Sequence, residues 1–177
     1  MIIGISGYAT AGKDTVAQIL VEQFGFQRLA FADSIRDICL VINPYLSDGL
    51  RVGDLVKDYG WDVAKQNTEV RRLLQVLGTE VGRQIFDEDV WVDALFQKVD
   101  PNKKYVITDV RFANEAECIK EYGEVWRVNR AGVDPINEHI SETQLDDYEF
   151  DYVINNDGTF DDLKNKVIKY IEENNAK

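Results

Sequence analysis

Gly7, Gly12 and Lys13 stand in the run Gly7-Tyr8-Ala9-Thr10-Ala11-Gly12-Lys13 at the spacing of a loop that cradles phosphate. Before it, Met1 to Ile5 is an apolar run with the character of a buried strand. After it, Val16, Ile19, Leu20 and Phe24 recur at helical spacing. A strand, a glycine loop and a helix N-terminus gather successive backbone N–H groups around one point, which attracts an anion, and the lysine adds a full positive charge there. The residue after the lysine is Asp14, where Ser or Thr is usual, with Thr15 one further on. Asp14 is open to two readings, a hard oxygen ligand for Mg²⁺ or a favourable acid in a helix's first turn.

A second acid, Asp109, closes the apolar run Tyr105 to Val110, where a carboxylate holds Mg²⁺ or its water, or serves only as a strand-end turn residue. Arg111 follows two residues later and is suited to gripping phosphate with its planar fork. Further arginines come from separate segments: Arg36 after the second strand, Arg71, Arg72 and Arg83 on a long helix, Arg127 and Arg130 ahead of a polar connection. Arg72 and Arg83 are spaced to share one face of an α-helix. No nucleophile–base pair is visible, with His139 the single histidine. Phosphoryl transfer needs none, because positioning and charge stabilisation carry it. A phosphate-monoester acceptor arrives mostly ionised; a hydroxyl acceptor requires a base, for which Asp33 is the candidate. Tyr8, Trp61 and Trp91 are aromatic stacking candidates, although aromatics commonly serve the core.

These groups need elements to hold them. The pattern predicts strands at the N-terminus, Gln27 to Phe31, Tyr105 to Val110, Val125 to Val128 and Tyr152 to Ile154, with helices between them. Asp33 or Ser34 caps a helix running to about Ile42, which Asn43-Pro44 ends. Thr68 to Ile85 forms one strong helix with Val70, Leu73, Leu74, Leu77 and Val81 on one face. Val90 to Val99 continues helical, as do Phe112 to Tyr122 and Phe160 to Glu172. Residues 45 to 67, with Gly49, Gly53 and Gly60, read as an irregular excursion, and residues 131 to 144 as a polar connection. Five short apolar strands separated by helices imply an α/β fold, a parallel sheet covered on both faces. Lys13, Asp33, Asp109 and Arg130 each follow a strand and are expected to meet at its carboxyl edge.

The 177 residues carry 32 acidic against 20 basic groups, a net charge of −12, which argues against a nucleic-acid polymer as partner. A small phosphorylated ligand stays compatible, since a few arginines focused in a cleft dominate locally. No apolar stretch approaches membrane-spanning length, so no membrane association is expected. Met1 leads directly into the first strand, which predicts no signal or transit peptide. Cys39 and Cys118 each sit in a helical pattern and are expected to be reduced core thiols in a cytosolic protein.

Four segments resemble the deoxynucleoside monophosphate kinase family of tailed phages, within the P-loop kinases related to adenylate kinase. They are Gly7 to Thr15 (GYATAGKDT), Leu74 to Trp91 (LQVLGTEVGRQIFDEDVW), Thr108 to Glu117 (TDVRFANEAE), and His139 to Glu142 (HISE) followed by Asn155 to Gly158 (NNDG). The Gly-Lys-Asp-Thr ending is a feature of that family. The resemblance implies a single three-layer P-loop NTPase domain over residues 1–177, with an acceptor-binding excursion at about 34–90 and a lid at about 130–144. It implies ATP as donor, Mg²⁺, and a deoxynucleoside monophosphate as acceptor, in the host cytoplasm if the chain is phage-encoded. A homodimer is compatible with it. Gly7, Ala11, Gly12, Lys13, Asp14 and Thr15 would hold the nucleotide, and Asp14, Thr15 and Asp109 would take the metal side. Arg111 and Arg130, with Lys13, would serve transfer, and Arg36, Arg72, Gln75 and Arg83 the acceptor. The alternatives are a kinase of a hydroxyl-bearing metabolite or nucleoside, with Asp33 as base, and a nucleotide-binding sensor without turnover.

Overall fold

The computed structural model describes residues 1–136 and 139–175, so residues 137 and 138 of the expected lid lie outside it. The chain divides into two compact units, Met1–Ala30 with Lys98–Lys177, and Phe31–Gln97.

The first unit is built on a five-stranded parallel sheet. Its strands are β1 (Ile2–Ser6), β2 (Gln27–Leu29), β3 (Tyr105–Ile107), β4 (Gly123–Asn129) and β5 (Tyr152–Asn155), in the order β2-β3-β1-β4-β5. β1 lies at the centre, with Ile3 opposite Val106 on one side and Glu124 on the other. Every residue of β1 is buried, as expected of a strand covered on both faces. Ile3 and Ile5 point into a core shared with Val16, Ile19 and Leu20 of α1 (Lys13–Phe24) and Leu163, Val167 and Ile171 of α8 (Phe160–Asn175). The intervening Gly4 faces the other way, where a Cβ would come within 2.8 Å of Ile119 on α6 (Ala113–Lys120). Thus α1 and α8 cover one face and α6 the other, the layered α/β arrangement expected from the sequence. Trp126 of β4 is fully buried, edge-on to Tyr152 and Tyr170.

The second unit is helical: α2 (Phe31–Ile42), α3 (Val52–Ala64), α4 (Thr68–Gln75), a π-helical stretch over Val76–Phe86, and α5 (Val90–Phe96). Three local expectations change here. Residues 45–67 are not irregular; α3 occupies most of them and packs Val52, Leu55, Val56, Trp61 and Ala64 around Cys39, Leu46 and Val70. Its glycines hid it, and Gly60 does interrupt it, with φ 77 and ψ 169. Secondly, α2 begins at Phe31, so Asp33 lies inside its first turn and does not cap it. Thirdly, the long helix is α-helical only to Gln75 and widens to π geometry beyond it. The α-helical period therefore fails across this junction: Arg72 is exposed while Arg83 is buried and donates Nη1 to the Glu88 carbonyl at 2.8 Å. Trp91 accounts for the local packing. Its Nε1 donates to the Gly78 carbonyl at 2.7 Å, and its ring covers Gly82 so closely that a Cβ there would sit 2.4 Å from the ring. Trp91 is thus a core residue and leaves the list of stacking candidates.

Gly82→Ala should destabilise the chain by about 1–3 kcal/mol, the usual cost of overpacking a filled core. Urea unfolding followed by Trp fluorescence checks this; an unchanged midpoint would show that the ring can move aside.

Candidate functional site

In the first unit, the loop between β1 and α1 sits at the carboxyl edge of the central strand, flanked by the segments that follow β3 and β4. Gly7 is obligatory there. Its φ is 138°, and a Cβ would come within 2.3 Å of the Val128 carbonyl oxygen. Gly12 precedes α1 in the left-handed region (φ 109°) with no side-chain cap, so the N–H groups of the first turn are left to a ligand. A loop of this shape beneath a helix N-terminus is built for phosphate.

Lys13 extends from the first position of α1, and its Nζ donates to the Tyr8 carbonyl at 2.7 Å, which arches the loop under its own lysine. Burial, then the neighbouring Arg111 guanidinium, lower its pKa from 10.5 to about 8, against the opposing charges of Asp14, Glu142 and Asp109. The spacing-based candidates Lys13, Asp14, Asp109 and Arg111 therefore do gather around one point. Asp14 is exposed in the first helical turn, and Thr15 is half-buried beside it. Asp109 is half-buried just beyond β3, in a segment that continues to bond the sheet: Thr108 N–H to Leu29 and Val110 N–H to Ile5.

Four partners escaped the sequence reading. Glu115, buried in the first turn of α6, accepts the backbone N–H groups of Arg111 (2.7 Å) and Phe112 (3.1 Å) and so shapes the turn that presents Arg111. Glu142 forms an ion pair with Arg111 Nη1, which also donates to the Ser141 carbonyl at 3.1 Å. Asp146 pairs with Arg127 Nη2 at 3.0 Å, while the Arg127 guanidinium lies 4.8 Å from the Tyr8 ring centre. Asn156, on the turn after β5, donates Nδ2 to the Ala11 carbonyl at 2.8 Å. Glu142 and Asn156 do fall in the HISE and NNDG segments, but nothing in a linear pattern says what they touch.

Glu142 belongs to the return of the polar connection and Asp146 follows just after it; the return contains a short helix α7 (Ile140–Thr143) started by His139: the Ser141 N–H donates to His139 Nδ1 at 3.2 Å. Together with Arg111, Arg127, Ser6, Gly7 and Val110, this return lines a small cleft beside the phosphate loop. At the other end of the connection Arg130 is exposed and has no ion pair among the described residues.

The remaining candidates, Asp33, Arg36, Arg72, Gln75 and Arg83, lie in the second unit. Arg36 Nη1 donates to Asp33 at 3.0 Å and its guanidinium is 5.8 Å from the Trp61 ring centre. Its Nε is buried with no hydrogen-bond partner among the described residues. Gln75 is the half-buried last residue of α4. Among the described residues no three His, Cys, Asp or Glu side chains form a metal cage, and no helix is long and apolar enough to cross a membrane.

A family model for deoxynucleotide monophosphate kinase matches residues 51–167 of this chain. The chain belongs to the deoxynucleotide monophosphate kinase family. The resemblance carried by the four segments is thereby borne out, and membership makes the chain a nucleotide kinase. Its relatives include a putative deoxynucleotide monophosphate kinase of Acanthamoeba polyphaga mimivirus, 29% identical across 97% of this chain and 96% of that protein. The deoxynucleotide monophosphate kinase of Escherichia phage RB69 is 36% identical across 58% of this chain and 44% of its own length, so this chain spans less than half of that relative. Among solved structures, shikimate kinase from Acinetobacter baumannii is similar over 99% of this chain and 95% of that one, with a TM-score of 0.50 and 17% identity. That likeness shows the P-loop kinase fold alone.

In the unliganded protein Lys13 should lose its proton near pH 8, not near 10.5. The folded state then binds fewer protons than the unfolded chain between these values, so Lys13 makes stability rise with pH across that window. Labelling with an amine-selective reagent against pH checks this; a midpoint for Lys13 at the ordinary lysine value would show that its partial burial and the Arg111 charge do not depress it.

Proposed function

We infer that this family member transfers the γ-phosphoryl group of ATP, bound with Mg²⁺, to the phosphate of a deoxynucleoside monophosphate. The observation that carries the reading is the gathering of Asp14, Asp109 and Arg111 about the half-buried Lys13 at the head of the central strand. The backbone of Gly7, Ala11 and Gly12 surrounds the β- and γ-phosphates, and Lys13 neutralises charge on their oxygens as the bond breaks. One oxygen of the acceptor phosphate attacks the γ-phosphorus in line while the bond to the β-phosphate oxygen breaks and ADP leaves. Such an acceptor arrives ionised and needs no general base.

Mg²⁺ commonly takes one or two protein carboxylates and completes its shell with water and substrate phosphates. The donor set here fits that habit: Asp14 and Asp109, whose charges act on the lysine, with the hydroxyl-bearing Thr15 in the same first helical turn, and no protein-only cage among the described residues. When bound, the ion would screen the phosphate charge from Asp14. Arg111 serves the transferred group and Arg130 the closure of the lid, about residues 130–144. On the acceptor side, Arg36, Arg72 and Gln75 of the second unit hold the monophosphate, whereas Arg83, buried with Nη1 on the Glu88 carbonyl, is not counted with them. The unpartnered Arg36 Nε supports this for Arg36. The chain acts on a small molecule and not on a nucleic-acid polymer, in keeping with its charge of −12.

ADP release measured with each deoxynucleoside monophosphate, with nucleosides and without acceptor tests the reading directly. Release dependent on a monophosphate is expected; release with nucleosides only would make the chain a hydroxyl kinase, and none above the blank a sensor. Lys13→Ala should lower kcat by ~10²-fold or more with the fold intact. Asp33→Asn should cost about ten-fold or less, whereas loss of a required base costs about 10²–10⁴-fold.

Arg130→Ala should lower kcat and raise the ratio of ATP hydrolysis to transfer, because an incompletely closed lid admits water as a competing acceptor. An unchanged ratio would remove Arg130 from the closure.

A further inference from the structure

Asn156 is separated from the phosphate loop by most of the chain, yet its carboxamide touches the loop's backbone. Nδ2 donates to the Ala11 carbonyl at 2.8 Å across 145 residues of sequence. The same nitrogen would lie 2.4 Å from a Cβ on residue 12, so the absence of a side chain at Gly12 is what admits it.

We propose that Asn156 is a positioning residue for the phosphate loop, holding the Ala11–Gly12 peptide in the orientation that turns the Gly12 N–H toward the donor phosphates. The peptide is trans and planar, so its C=O and N–H point in opposite directions. Pinning the Ala11 oxygen on one side directs the Gly12 N–H to the other. Gly12 itself supplies no restraint, since glycine rotates freely about its backbone bonds and here has φ 109°. A flip of this one peptide would exchange a donor for a carbonyl oxygen facing the phosphates, turning an attraction into a repulsion.

The residue that pins the peptide is itself anchored. The Asn156 N–H donates to the Asn129 carbonyl at 2.7 Å, and the Ala131 N–H donates to the Asp157 carboxylate at 2.9 Å. Lys166 Nζ donates to the Asn155 carbonyl at 2.6 Å. One residue beyond Gly158, Thr159 and Asp162 bond each other at the start of α8, N–H to carboxylate at 2.9 Å and N–H to hydroxyl at 3.2 Å. The turn is thus tied to both β4 and α8, and the carboxamide meets the loop from a rigid base.

This inference rests on the reading that Gly7 to Thr15 hold the phosphates of ATP. The test compares wild type, Asn156→Ala and the isosteric Asn156→Asp, which keeps the shape but cannot donate. The readouts are kcat, KM for ATP, KM for the deoxynucleoside monophosphate, and inhibition by inorganic tripolyphosphate competing with ATP. Both variants should raise KM for ATP and the tripolyphosphate inhibition constant by the same factor, about five-fold or more for one lost hydrogen bond at a charged ligand, with KM for the monophosphate unchanged. A merely structural role would lower the melting temperature without that split. Unchanged tripolyphosphate inhibition in either folded variant would overturn the proposal. So would a rise in KM for ATP alone, which would place Asn156 at the nucleoside end. Lys13→Ala run alongside separates the two failures: tripolyphosphate inhibition that survives it together with a wild-type kcat would overturn the phosphate-loop reading itself.

Discussion

The approach of the phosphate loop to the sheet beneath it is the constraint on which the first unit depends. At Gly7 the loop lies so close to β4 that a single methyl group would meet the Val128 carbonyl, and at Gly12 it would meet Asn156. Neither contact stores much energy by itself. Together they set where the loop can run, and hence where the first turn of α1 points its unsatisfied N–H groups. Ile3 and Ile5 on one face of β1, and Gly4 against α6 on the other, keep the strand that launches the loop from shifting in register. A one-residue slip would reverse the two faces and bury the wrong side chains.

Electrostatics follows from that placement. The chain carries a net charge of −12, yet the residues around the loop are arranged as opposed charges at close range. Lys13 feels Arg111 as a repulsion and Asp14, Glu142 and Asp109 as attractions, and its burial raises the cost of its proton. Arg111 is paired with Glu142, and Arg127 with Asp146, so these two cations beside the cleft are held by acids at and just after the return of the polar connection. Removing one member of such a partly buried pair is costlier than the pair's net contribution suggests, because the other charge is left without its partner. Arg130 differs from these: it is exposed, with no ion pair among the described residues.

In the second unit the same device, glycine where something must come close, serves packing instead of binding. Gly78 supplies the carbonyl that takes the Trp91 indole N–H, and Gly82 supplies the flat surface on which the ring lies. The helix widens to π geometry over this stretch, and such widening changes which side chains share a face. Arg83 is thereby turned inward onto the Glu88 carbonyl, away from the exposed setting of Arg72.

What the amino-acid sequence determined by itself was whatever depends on residues near one another in the chain. The phosphate loop, its flanking strand and helix, the parallel α/β class and the acid and arginine after β3 all rest on short-range spacing, and each is found. Local patterns also misled where glycines stand inside helices: Gly53 and Gly60 masked α3, and the α-helical period was carried past Gln75 into a segment that does not keep it. Tertiary structure alone decided the partners. Glu142 reaches Arg111, Asp146 reaches Arg127 and Asn156 reaches Ala11 only because parallel strands, paired in one register, bring their carboxyl ends to a single edge. The physical reason is that a side chain's type and spacing fix what it can bond, whereas which group stands within 3 Å or so of it is set by packing between segments that the chain itself keeps far apart.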